Sequence, residues 1–191
     1  MLASQVLLQL PDWLPQAIEG AAPCHDDASK VALAIELSRR NLDEDSGGPF
    51  GAVLFDQDHR VVAAGVNRVL PMACTLAHAE NMAYMLAQQQ LRRARLNMDE
   101  AGRRLGRYTL ATSSQPCCQC YGATIWAGID RLLIGARSGD VMALTEFDEG
   151  PLPSDWVGEL ERRGIEVVRD LHRDAACAVL RRYGASGARR Y

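Results

Sequence analysis

The chain has 191 residues, of which 48% are hydrophobic and 24% are charged, and its formal net charge is −3. This length favours a single folded domain, and the balanced composition is that of a globular protein rather than a disordered or membrane protein. The small acidic charge gives no general attraction for phosphate groups, so we expect no nucleic-acid partner. No apolar run is long enough to span a bilayer, and the first residues lack the basic start of a secretory signal, so we expect a cytoplasmic protein with no membrane partner.

Residues 1–26 are predicted to form an N-terminal extension that lies over the surface, and residues 27–191 to form the domain itself. Prolines at positions 11, 15 and 23 favour irregular chain or a short helix in the extension. Between Ala28 and Arg40, apolar side chains recur three and four residues apart, which predicts the first helix of the domain. Two arginines at the end of this segment suit the carbonyl end of a helix.

Two strands and a helix are predicted next. Apolar and β-branched residues at 50–55 and 60–65 flank four polar residues, which is the pattern of a β-hairpin. A loop then reaches His78, where the spacing of the following apolar residues indicates one face of a helix. A third strand, at 109–114, ends before Pro116, and proline favours the first turn of a helix.

The rest of the chain continues to alternate strands and helices. Further strands are predicted at 131–136 and 166–171, with helical segments around 141–145, 156–163 and 173–183. The alternation predicts an α/β fold in which a mixed sheet has an antiparallel hairpin at one side and helices on both faces.

Two short motifs combine the ligands of a catalytic metal site. They are His78-Ala-Glu80 and Pro116-Cys117-x-x-Cys120. A zinc ion that catalyses hydrolysis takes three protein ligands and leaves one position for water, so His78, Cys117 and Cys120 are predicted to bind Zn²⁺. Cysteines three residues apart at the start of a helix share one face, and the partial positive charge there favours their thiolate forms.

Glu80 follows the histidine ligand by two residues and is predicted to be catalytic. A fourth protein ligand would close the water position, so Glu80 is expected to move a proton from the bound water to a departing amine. A Cys-x-x-Cys pair alone is common in structural zinc sites and redox pairs, and His-x-Glu alone is near chance. Their joint occurrence at two helix starts favours a catalytic site. The isolated cysteines are predicted to be small core residues: Cys24, Cys74 and Cys177.

The complete pattern resembles the cytidine-deaminase-like zinc deaminases and, among them, the bacterial guanine deaminases. The resemblance is specific from about Val31 to Ala136 and looser beyond. It is carried by the segments Gly47-Gly-Pro-Phe-Gly-Ala-Val53, Gly65-Val-Asn67, His78-Ala-Glu80 and Pro116-Cys-x-x-Cys120. The fold it implies is a three-layer α/β/α sandwich around a five-stranded mixed sheet, usually in a homodimer.

The resemblance also implies how a purine base would be bound. Asn67 would hold the base, because a side-chain amide offers both a donor and an acceptor to a ring edge. Phe50 would pack on the base, and Ala79 would contribute backbone contacts. The last residue, Tyr191, would cap the pocket, either in its own subunit or, by exchange of the C-terminal tail, in the partner subunit.

The resemblance assigns a second acidic residue to the segment Phe147-Asp148-Glu149. This carboxylate would accept hydrogen bonds from the guanine ring and assist proton transfer. Glu149 matches the position, although an aspartate is expected there, so Asp148 and Glu146 stay open as alternatives. In the implied reaction, zinc hydroxide adds to C2 of guanine, and Glu80 carries the proton to N3 and then to the leaving amine, which gives xanthine and ammonia.

Three alternatives remain open. A tRNA adenosine deaminase shares the zinc motif, but the arginines between positions 92 and 107 lack the interleaved aromatic residues that stack on bases. Cytosine or another amino-heterocycle such as an aminotriazine would suit the same chemistry. A silent family member acting as a binding module or dimer partner would normally lack a ligand or the shuttle, and both are present here.

Overall fold

The computed structural model of this protein describes residues 4–187. Five strands form its sheet. They are β1 (Gly51–Phe55), β2 (Val61–Val66), β3 (Thr109–Ser114), β4 (Arg131–Ala136) and β5 (Glu166–Val168). Their order in the sheet is β2-β1-β3-β4-β5. β1 is antiparallel to both β2 and β3, whereas β3, β4 and β5 are mutually parallel. The mixed five-stranded sheet with a hairpin at one edge is therefore confirmed.

Within residues 4–187, eight helices surround the sheet. They are α1 (Trp13–Glu19), α2 (Asp27–Asp43), α3 (Val69–Met72), α4 (Ala79–Leu91), α5 (Cys118–Ala127), α6 (Ser138–Thr145), α7 (Trp156–Glu161) and α8 (Arg173–Ala185). None of them is both long enough and apolar enough to cross a lipid bilayer.

The core consists of two apolar layers, one on each face of the sheet. The side chains of β1 alternate between them: Val53 and Phe55 pack in the layer under α2 and α8, and Ala52 and Leu54 pack in the layer under α4. All five residues of β1 are buried, as expected for a strand covered on both faces. This arrangement confirms the three-layer α/β/α sandwich.

The chain before α2 packs against the domain. Leu14 of α1 and Cys24 are buried in the same apolar layer as the buried face of α2. Cys24 and Cys177 are buried, as predicted, but Cys74 is only half-buried in the loop after α3. The single helical turn of α3 before this loop had no signal in the sequence.

The last predicted strand is shorter than expected. β5 ends at Val168 because Asp170 adopts a positive φ of 68°, which turns the chain away from the sheet. Leu171 still donates its N–H to the carbonyl of Ile134 at 3.1 Å. Leu171, the one apolar residue of the predicted strand beyond Val168, therefore holds the chain before α8 against β4 rather than extending β5.

Candidate active site

His78 and Glu80 are placed by the start of α4. His78 is the extended residue before the helix, with φ −71° and ψ 154°, and its carbonyl accepts the Met82 N–H at 2.9 Å. Glu80 is in the first turn and is buried. Both side chains therefore point from one helix start, as the spacing predicts.

The two cysteines are placed by the start of α5. Cys117 is the extended residue before this helix, with φ −66° and ψ 177°, and its carbonyl accepts the Tyr121 N–H at 2.8 Å. Cys120 is buried, whereas Cys118 is exposed. Because α5 directly follows β3 in the middle of the sheet, these cysteines lie at the end of the sheet where α4 also begins.

The three predicted metal ligands lie close together. Both sulfurs are 3.5 Å from Nδ1 of His78, and the ligand atoms of His78, Cys117 and Cys120 all lie within 4.8 Å of one another. Around a tetrahedral zinc ion with ordinary bond lengths, nitrogen and sulfur ligands are about 3.5 Å apart. Two thiolates and an imidazole are also ligands that zinc prefers. The donor set and its spacing therefore fit zinc.

Glu80 lies beside this set. Its Oε2 accepts a hydrogen bond from the Cys120 thiol at 3.3 Å. Burial, together with the negative charge of Cys117, raises the pKa of the Glu80 carboxyl. A carboxyl group of this kind holds a proton more readily than an exposed glutamate does, which suits a group that must accept and release one.

The sulfurs and the imidazole influence one another strongly. A hydrogen bond from the Cys120 thiol, with a further one involving His78, lowers the pKa of Cys117 to about 4. The same pairing raises the pKa of Cys120. Burial opposes a charge on His78, but its contacts with the Cys117 thiolate and nearby carboxylates outweigh this and raise its pKa. The cluster thus already favours one thiolate, and a dication favours the second.

The two helices that carry these residues are tied together. The Tyr84 hydroxyl of α4 donates to Oγ1 of Thr124 in α5 at 3.0 Å, and Oγ1 in turn donates to the carbonyl of Cys120 at 2.8 Å. All three residues are buried. The sequence did not reveal this link, because a tyrosine and a threonine on apolar helix faces look like ordinary core residues.

A cavity of about 320 Å³ opens over the predicted metal ligands. Its walls bring together residues from distant parts of the chain that were predicted to bind substrate: Phe50, Asn67, Ala79 and Glu149. The wall also contains residues that were not predicted, and Gln119 is one of them. Gln119, between the two cysteine ligands, donates from Nε2 to the Thr75 carbonyl at 3.2 Å and so closes one side of the cavity.

Asn67 and Phe50 line one wall of the cavity. Asn67 is only 1% exposed, and its Oδ1 accepts the Val69 N–H at 3.2 Å, so its NH₂ group is the donor that it can offer to a base. Phe50 packs on Phe147 with ring centroids 5.7 Å apart. Phe147 in turn stacks on Tyr183 at 5.5 Å, which links the cavity wall to α8.

Of the three acidic candidates, Glu149 is the one that is both buried and in the cavity wall. Asp148 also lines the cavity but is exposed, and its Oδ1 accepts the Gly150 N–H at 2.8 Å. Glu146 caps the end of α6 and is absent from the wall. Burial, with the charges of Cys117 and Glu80, raises the pKa of Glu149 to about 8. Tyr191 lies outside the described residues.

Comparison with known protein families and sequences finds deaminases. Residues 25–136 match the family described as the zinc-binding region of cytidine and deoxycytidylate deaminases. A probable cytosine deaminase from Schizosaccharomyces pombe is 30% identical over 155 residues, which are 78% of this chain and 87% of that protein.

Two solved structures are similar over almost the whole chain. Guanine deaminase from Nitrosomonas europaea has a TM-score of 0.87 and 42% identity, and the alignment covers 97% of this chain and 99% of that one. A structure of NE0047 in complex with 2,6-diaminopurine has a TM-score of 0.87 and 44% identity, covering 97% of this chain and 95% of that one.

Proposed function

This chain belongs to the cytidine and deoxycytidylate deaminase family, and from that membership we propose that it is a zinc-dependent hydrolase that deaminates guanine to xanthine and ammonia. The observation that carries the choice of guanine is the 42% identity to a guanine deaminase over 97% of this chain. The cavity adds support, because its wall combines an asparagine, an aromatic residue and a buried carboxylate.

His78, Cys117 and Cys120 would hold the zinc ion. When bound, zinc lowers the pKa of a water molecule to about 7 and so supplies a nucleophile at neutral pH. Glu80 would accept a proton from the attacking water at its carboxylate and donate it to N3 of guanine. It would then carry the second proton of that water to the 2-amino group, which leaves as ammonia. Its burial next to Cys120 keeps this proton out of bulk water.

The remaining wall residues orient the base. Asn67 donates from its NH₂ group to an acceptor of the purine, Phe50 packs on the ring, and Ala79 offers its backbone between the histidine ligand and the shuttle. Glu149 accepts hydrogen bonds from the N–H groups of guanine when it is ionised, and the charge of zinc favours that form. Cytosine and adenine present a different order of donors and acceptors to these groups.

The assembly is also part of the proposal. We expect a cytoplasmic homodimer of a domain formed by residues 27–191, with residues 1–26 as an extension. Tyr183 near the end of α8 stacks on Phe147 of the cavity wall, so the chain after α8 starts close to the cavity. This supports a C-terminal tail whose Tyr191 caps its own pocket or that of the partner.

Ammonia release distinguishes the substrates. Purified zinc-loaded protein would be given guanine, cytosine, adenine and guanosine separately, and xanthine would be followed by its absorbance. We expect ammonia and xanthine from guanine. Ammonia from cytosine but none from guanine would overturn the assignment and favour cytosine deamination, the second candidate, which the relative from Schizosaccharomyces pombe supports.

A further inference from the structure

Asn41 of α2 is a fully buried side-chain amide, and one of its hydrogen bonds goes to Asn67 in the wall of the cavity. Its Nδ2 donates to the carbonyl oxygens of Gly48 at 2.8 Å and of Asn67 at 3.0 Å. Its Oδ1 accepts a hydrogen bond from Oγ of Ser46 at 2.7 Å. Asn41 has no solvent exposure, so these bonds have no competition from water. Asn41 therefore fixes the position of the Asn67 main chain.

The N-terminal extension reaches the same network. Nε1 of Trp13 in α1 donates to Oγ of Ser46 at 3.0 Å, while that hydroxyl donates onward to Asn41. The indole lies against the Arg40 guanidinium, 4.8 Å from the ring centroid, which restrains its orientation. A single hydroxyl thus joins the extension to the buried amide behind Asn67.

A second link runs through Arg68, the residue after Asn67. Its Nε donates to the carbonyl of Gln9 at 3.0 Å, and its Nη1 donates to the carbonyl of Ser46. The extension is therefore connected to the segment that carries Asn67 by two routes, one through Ser46 and one through Arg68.

The loop between α2 and β1 is packed too closely against Asn67 for the two to move independently. A Cβ atom at Gly47 would lie 1.9 Å from the Asn67 carbonyl oxygen, so only glycine fits there. Asn67 also donates its N–H to the Phe50 carbonyl at 3.1 Å, and Phe50 donates its own to Gly48 at 2.8 Å. A shift of this loop would therefore also move Asn67 and Phe50, which are proposed to orient the base.

We propose that the N-terminal extension positions the substrate-binding wall through a relay from Trp13 to Ser46, Asn41 and Asn67. Trp13 is absent from the cavity wall, so it is a positioning residue rather than a catalytic one. Through Trp13 and Gln9, the extension helps to position the substrate-binding wall, which goes beyond its description as a surface extension. The kinetic consequence rests on the proposed guanine deaminase function, whereas the structural consequence does not.

Trp13→Phe and Ser46→Ala each break the relay while leaving the apolar packing of the extension in place. Loss of one hydrogen bond is expected to raise KM for guanine about three- to tenfold, with kcat within about twofold. The double variant should resemble the larger single one, because both changes interrupt the same path. Ser46→Thr keeps the hydroxyl and should retain the original KM. Trp156→Phe is the matched control, since Trp156 also lies against an arginine.

Hydrogen exchange provides a readout that does not need a substrate. The amides of Phe50 and Asn67 should exchange faster in Trp13→Phe than in Trp156→Phe. Unchanged KM together with unchanged exchange in Trp13→Phe would overturn the proposal, as would additive effects in the double variant. If the parent protein does not deaminate guanine, the proposed function fails, and the exchange rates alone still decide whether the relay positions this wall.

Discussion

Replacing Gly65 by alanine tests whether the contact between β2 and α4 sets the geometry of the site. Gly65 lies in β2 under the first turn of α4. A Cβ atom there would be 2.1 Å from the Ala79 carbonyl oxygen, 2.8 Å from the Ala83 nitrogen and 2.9 Å from Cβ of Met82. Ala79 is the residue between His78 and Glu80, so the clash falls on the backbone that holds the ligand and the shuttle.

The size of the effect follows from these distances. An ordinary contact between carbon and oxygen needs about 3.2 Å, so the helix must move by about 1 Å. The cysteine ligands lie at the start of a different helix, α5, so a shift of α4 changes their distances from His78 and Glu80. A misplacement of about 1 Å lowers catalysis on the order of 100-fold, and overpacking of this kind destabilises by about 1–3 kcal/mol. We expect both losses in Gly65→Ala.

The assay is kcat/KM for guanine in zinc-saturated protein, with the free energy of unfolding measured in urea. Gly122→Ala is the matched control, because Gly122 is inside α5 and an added Cβ meets no atom within 4 Å. That variant should be more stable by about 0.5–1 kcal/mol with unchanged kcat/KM. A Gly65→Ala protein that keeps its stability and activity would refute the packing argument.

Three further changes test separate parts of the site and fold. Glu149→Gln is expected to lower kcat/KM about 10- to 100-fold by removing a charged acceptor, whereas Asp148→Asn should change it less than about threefold because that side chain is exposed. Tyr84→Phe is expected to lower the free energy of unfolding by about 1 kcal/mol, since it removes the bond between α4 and α5. Hydrogen bonds from Arg173 lower the pKa of Asp140 to about 2, so its stabilisation, roughly 1 kcal/mol after solvent screening, should be complete above about pH 4 and lost as the pH falls toward 2.

Each of these has a result that counts against it. Equal losses of kcat/KM in Glu149→Gln and Asp148→Asn would mean that burial does not identify which carboxylate binds the substrate. Loss of zinc from Tyr84→Phe would show that the bond between the helices sets the metal site rather than stability alone. For Asp140, urea unfolding of the parent protein and Asp140→Asn is compared at pH 6 and pH 2.5, and a difference in free energy as large at pH 2.5 as at pH 6 would contradict the linkage.

The metal site was predictable because chemistry and helix geometry act over short distances. His78 and Glu80 are two residues apart and Cys117 and Cys120 are three apart, so each pair shares a helix start wherever the helix is placed. The joint occurrence of the two motifs and the family resemblance predicted that they share one metal ion, and the fold brings their ligand atoms within 4.8 Å of one another. The spacing of apolar residues predicted the alternating strands and helices. The unbroken apolar run of β1 agrees with its burial on both faces.

The residues that support the site were not predictable, since their roles depend on contacts across the chain. Asn41 looks like an ordinary polar residue near a helix end, yet it is buried and bonded to a carbonyl 26 residues away. Trp13 and Ser46 are 33 residues apart and carry no motif. The early end of β5 depends on the positive φ of Asp170, which the apolar pattern does not record.

The central claim is that zinc is held by His78, Cys117 and Cys120 while Glu80 moves protons without binding the metal. The most direct measurement is the zinc content and guanine turnover of the same purified Glu80→Ala sample. We predict that it keeps as much zinc per chain as the parent protein and loses essentially all turnover. Zinc lost together with Glu80, or turnover that is kept without it, would contradict this account.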